Sequence, residues 1–165
     1  MAARWGRPSE GSVSFCVDGS FRLDPRCMGW GGIVRDSQGL WQDGFHGYMI
    51  GESAFMAEAI ALERGLHFVW DRGYRQVVCN VDCRNLLQAL GDEEKCQLLP
   101  ILGDIRELLQ RRWVVSLSYV GRDCNASADW LAKRGASSPL DLECSLDSPP
   151  WELEVLILRD RLSSL

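Results

Sequence analysis

The stretch Arg75-Gln-Val-Val-Cys-Asn-Val-Asp82 holds a near-continuous apolar run, 77–81, interrupted only at Asn80, and ends in an acid. A strand with one wet face alternates; one without alternation is covered on both faces, as a central strand is in a sheet layered by helices. It follows a helical stretch, so a crossover places it parallel to an earlier strand. That strand is 12–17, where Val13, Phe15 and Val17 alternate with Ser12, Ser14 and Cys16. It too meets an acid, in Asp18-Gly19-Ser20, which reads as strand end and turn and holds Asp18 at the lip of the sheet. A desolvated carboxylate is costly unless a cation or donor faces it.

Around these two strands the chain reads as one α/β unit with a five-stranded mixed sheet flanked by helices. Strands at 28–35 and 40–48, joined by the turn Asp36-Ser-Gln-Gly39, complete an antiparallel meander with the first. The glycines of Met28-Gly-Trp-Gly-Gly mark a bulge or a close backbone approach. A helix capped by Ser53 runs to about 72 and closes at Gly73. Phe55, Leu62, Leu66 and Val69 share one stripe of it, and Glu58 falls in that stripe, where a carboxylate is out of place. A short helix at 84–90 stops at Gly91, a charged loop follows at 92–95, and a helix covers 98–112. The last strand, 113–120, lies parallel to the first, and Asn125 caps a helix holding Asp129.

Residues 1–11 read as a flexible lead-in, 12–136 as the folded domain, 137–150 as a linker, and 151–165 as an amphipathic helix. Trp151, Val155, Leu158 and Leu162 form its apolar face, which must dock on the domain or on a partner. A chain of 165 residues suits one domain with a real core. No apolar run nears the roughly 20 residues that span a bilayer, so no membrane role is expected. Seven cysteines, none in a Cys-x-x-Cys pair, read as free thiols of a reducing compartment, nucleus or cytoplasm. The net charge of −5 disfavours a simple electrostatic nucleic-acid binder.

Singly, each strand-end or helix acid has an ordinary explanation. Asp18-Gly19 is a common turn pair, Asp82 could cap the next helix, and Asp129 could complement a helix dipole. Glu58 has no comparable explanation. Four carboxylates brought together without cations raise one another's pKa, and hard divalent ions relieve the repulsion. Two such ions about 4 Å apart can activate a water and stabilise a leaving phosphodiester oxygen, with no histidine obligatory. The tryptophans Trp30, Trp41, Trp70 and Trp113 have core-like spacing, and His46 and His67 read as incidental. Arg72, Arg75, Arg111 and Arg112 fit either a phosphate-binding patch or solvated helix ends.

The order Asp-Gly-Ser, Ala-Glu-Ala-Ile-Ala-Leu, Val-Asp and Arg-x-x-Asn-x-x-Ala-Asp-Trp-Leu-Ala resembles the ribonuclease H fold. More narrowly, 12–136 is similar to the plant ribonuclease H-like domains found alone or at the end of non-LTR retroelement reverse transcriptases. The Pro-Pro-x-x-Leu tail resembles that group as well. The resemblance implies a metal-dependent endonuclease that hydrolyses the RNA strand of RNA–DNA hybrids, leaving a 5′-phosphate and a 3′-hydroxyl. It implies Asp18, Glu58, Asp82 and Asp129 as the catalytic acids holding two Mg2+ or Mn2+ ions. It further implies nucleic-acid contacts at Gly19, Ser20, Ser53, Arg122 and Asn125.

The chain departs from the family in carrying Tyr119 where many relatives have a mobile histidine, and Cys83 after the third acid. It also lacks the basic, tryptophan-containing protrusion of some bacterial relatives, so a weaker grip on the hybrid is expected. The rival expectation is a catalytically weak ribonuclease H-like module that binds nucleic acid or a protein, whether alone or beside a reverse transcriptase domain.

Overall fold

The computed structural model describes residues 4–165. A six-stranded sheet has the order β5-β4-β1-β2-β3-β6. Strands β1 (Val13–Leu23), β2 (Arg26–Arg35) and β3 (Trp41–Met49) form the antiparallel meander. Helix α1 (Ala54–Asp71) crosses over to β4 (Gln76–Val81), which pairs parallel with β1 and in turn with β5 (Val114–Tyr119). Ser53 caps α1, its Oγ accepting from the Met56 N–H at 3.1 Å, and Gly73 stands just past its end at φ +89°.

Helices α2 (Arg84–Leu90), α3 (Glu93–Leu98) and α4 (Pro100–Leu109) connect β4 to β5, and α5 (Ala126–Ala136) follows a 3-10 turn at Arg122–Cys124. One core lies between the sheet and α1 with α4, built on Phe15, Phe45, Leu62, Leu66, Leu102 and Ile105. The other lies under α5 and α6 (Trp151–Ser163), where Cys16, Ile33, Leu131, Leu153 and Ile157 meet Trp5. The sheet is thus covered on both faces, as its apolar central strand requires.

Several expectations are corrected. The sheet has a sixth strand, β6 (Glu143–Leu146), inside the expected linker and antiparallel to β3. The segment 141–147 alternates polar and apolar residues, a period-two signal that the linker expectation passed over, and the open edge of β3 gives it a strand to pair with. The charged loop at 92–95 opens α3 instead, because the Asp92 carboxylate accepts the N–H groups of Glu94 and Lys95 at 3.1 and 3.3 Å.

Of the expected flexible lead-in, residues 1–3 lie outside the described residues, and the rest is anchored. Trp5 is buried and donates from Nε1 to Ser14 Oγ at 3.2 Å, while Arg7 Nε donates to Ser164 Oγ at 2.8 Å. Helix α6 docks, but through Leu153, Ile157 and Asp160. The stripe Trp151, Val155, Leu158 and Leu162 stays exposed. A buried ion pair, Arg35 Nη1 to Asp160 Oδ2 at 2.7 Å, selects that rotation of the helix.

Candidate active site

Strand β1 does not end at Asp18-Gly19 but continues to Leu23. Gly19 therefore serves close approach, not a turn: a Cβ on it would fall 2.4 Å from the Ala57 carbonyl carbon of α1. That contact brings Glu58 over Asp18. Parallel pairing of β1 and β4 sets Val17 opposite Val81, so Asp18 and Asp82 emerge side by side at the same end of the sheet. Asp18, Glu58 and Asp82 each offer an oxygen, all within 4.8 Å of one another.

These three acids sit in an open cleft of about 890 Å³, whose walls include Gly19, Ser20, Arg122 and Asp129. No lysine, arginine or histidine forms an ion pair with the three among the described residues. The electrostatic result is a site that resists full ionisation. Burial, then the charge and hydrogen bond of Glu58, push Asp18 up to about 11. Burial raises Glu58 to about 7, against the opposing pull of its hydrogen bond with Asp18. Asp82 is raised by burial too, with hydrogen bonds to Asp18 and Asn125 and the Arg122 guanidinium working the other way.

Three crowded oxygen donors, without an imidazole and short of positive charge, fit a hard divalent cation. Cys83 lies next in the chain, but burial raises its pKa and favours the neutral thiol over a thiolate ligand.

Asp129 stands at the rim. It reaches the Asp18 carboxyl, but its side chain is 44% exposed and pairs with Lys133 at 3.0 Å, four residues on. Gly19, Ser20 and Arg122, the expected nucleic-acid contacts, line the cleft. Ser53 lies outside the lining, its hydroxyl engaged as the α1 cap. Asn125 is corrected on two counts. It is buried, its Nδ2 donating to the Val17 carbonyl at 3.0 Å, and its side chain does not cap α5. It ties α5 to the middle of β1, next to Asp18, and so fixes Asp129 relative to Asp18.

Tyr119 is 44% exposed beside the site end of β4, with the Arg84 guanidinium 4.3 Å above its ring. His46 is buried, which lowers its pKa. The sequence reading missed three cleft-lining cations: Arg4, Lys133 and Arg159. Lys133 was legible in its i,i+4 spacing from Asp129; the other two come from segments that the resemblance does not reach.

A mixed sheet in this order, with an acid within β1, a second just past the end of the parallel strand β4 and a third on the crossing helix, defines a ribonuclease H fold. Solved structures share it. Ribonuclease H1 of the halophilic archaeon Halobacterium salinarum is 23% identical, with a TM-score of 0.67 over 79% of this chain and 98% of that one. LC11 ribonuclease H1, solved in complex with an RNA/DNA hybrid, is 20% identical, with a TM-score of 0.69 over 78% and 99%. The N-terminal ribonuclease H domain of a Mycobacterium tuberculosis protein is 18% identical, with a TM-score of 0.67 over 79% and 96%.

The chain belongs to the reverse transcriptase-like family, whose profile matches residues 16–135. It is 31% identical over 162 residues to an Arabidopsis thaliana protein named "Putative ribonuclease H protein", covering 97% of this chain and 26% of that relative. The chain thus spans about a quarter of the relative's length. No helix among the described residues is long and apolar enough to cross a membrane.

Proposed function

We propose that this chain is a metal-dependent endonuclease that hydrolyses the RNA strand of RNA–DNA hybrids. The observation that carries the reading is the convergence of Asp18, Glu58 and Asp82 within 4.8 Å in an open cleft, with no ion pair to them among the described residues. Asp18, Glu58 and Asp82 would hold magnesium or manganese, with Asp129 supporting a second ion from the rim. When bound, such ions neutralise the acids and supply water activation and leaving-group stabilisation for phosphodiester hydrolysis. Asn125 and Gly19 keep the carboxylates in register, Asn125 by its bond to Val17 and Gly19 by admitting the α1 backbone. The narrow backbone at Gly19-Ser20 lets a strand approach closely enough for its 2′-hydroxyl to be read.

The test is purified protein with Mg2+ and an end-labelled hybrid. RNA fragments should form, and Asp18→Asn or Asp82→Asn should abolish them; persistence of cleavage in both variants would refute the assignment. A second reading, a catalytically weak binding module, is favoured by Tyr119 lying under Arg84 where the resemblance expects a mobile histidine. Tight metal binding without hybrid cleavage would select it.

A further inference from the structure

We propose that α6 and the segment preceding β1 form one wall of the substrate cleft, where Arg159 and Arg4 grip the phosphate backbone of the nucleic acid; this rests on the hybrid-cleavage reading above. Arg4, Arg159 and Ser163 line the same cavity as Asp18, Glu58 and Asp82. Both arginines fall outside the 16–135 stretch matched by the family.

The wall is held rigidly. Arg35, fully buried, binds Asp160 of α6 at 2.7 Å and lies 4.0 Å over the ring of Trp5. Leu153 and Ile157 pack with Trp5 and Leu131 beneath it.

The two cations are also available. Asp160 Oδ2 is taken by Arg35, which leaves Arg159 Nη2 with a contact of 3.8 Å to Oδ1 and its side chain 55% exposed. Arg4 Nη1 donates only to the Ser163 carbonyl, at 3.4 Å. Of the other cleft cations, Lys133 pairs with Asp129 at 3.0 Å, while Arg122 stands on the α5 side of the cleft and forms no ion pair among the described residues. In a chain of net charge −5, a polyanion drawn to a floor of three acids needs positive charge beside it. Helix α3 and its cap do not supply it, because they open with Asp92, Glu93 and Glu94.

The experiment measures hybrid affinity at several salt concentrations, and kcat and KM with Mg2+, for the full chain and for Arg4→Ala, Arg159→Ala, Arg159→Lys and the double alanine variant. Melting temperatures verify folding, which the exposure of both side chains should preserve. Each alanine should reduce the salt slope of log affinity by about 0.9 and raise KM several-fold with kcat unchanged, while Arg159→Lys keeps the parent slope. A double variant with the parent slope and KM would overturn the inference and leave hybrid cleavage standing. So would an Arg159→Lys variant as impaired as Arg159→Ala. If the unaltered chain neither binds nor cleaves the hybrid, the functional reading falls and this inference with it.

Discussion

Asp18→Asn should make the metal-free protein more stable at alkaline pH while weakening its response to divalent ions. In the unfolded chain an aspartate releases its proton near pH 4. In the folded state burial and Glu58 keep the Asp18 proton on up to about 11. Across pH 6.5–8.5 the folded state therefore holds about one proton more than the unfolded state, and stability falls as pH rises by up to about 1.4 kcal/mol per pH unit. Water at the mouth of the cleft softens the effect, so we expect about 2 kcal/mol over that window. For a chain of this size that is roughly 4–8 °C in Tm. Glu58, raised to about 7, adds to the slope at the acidic end.

The assay is thermal unfolding of parent and variant in EDTA and in Mg2+. In EDTA the parent Tm should fall with pH and the Asp18→Asn Tm should fall less steeply, keeping only the Glu58 contribution at the acidic end and finishing above the parent at pH 8.5. Magnesium should lift the parent most at high pH, by mass action on the folded state, and lift the variant less. A flat parent profile in EDTA, or equal slopes in the two proteins, would refute the idea that the three acids are crowded and uncompensated.

Asp129→Asn should slow hybrid cleavage by about tenfold to a hundredfold, far less than Asp82→Asn, because Asp129 is half-exposed and already paired with Lys133; single-turnover rates measure the difference. Gly19→Ala should destabilise by about 1–3 kcal/mol and weaken metal affinity together, since its methyl would meet the Ala57 backbone at 2.4 Å; denaturant unfolding and metal titration would show both. Asp160→Leu should cost about 3–5 kcal/mol by stranding Arg35. Adding Arg35→Met should recover most of that loss in urea midpoints.

The sequence by itself determined the layering and the identity of the central acids. The near-continuous apolar run into Asp82 points to a strand covered on both faces, and Glu58 on a buried stripe, 40 residues after Asp18, signals a site before any contact is known. Helix α1 was legible to its caps, because Ser53 and Gly73 act on their immediate neighbours. What depended on distant partners was not legible. Strand β6, despite its alternating residues, needs the free edge of β3 to pair with, and Gly19 reads as a turn until Ala57 is seen beside it. The rotation of α6 was misjudged because periodicity favours the Trp151 stripe, whereas Arg35, 125 residues away, makes Asp160 the side chain that must turn inward. Local pattern reports what a residue prefers in water; a buried charge obeys its counter-charge, and only the tertiary structure says where that lies.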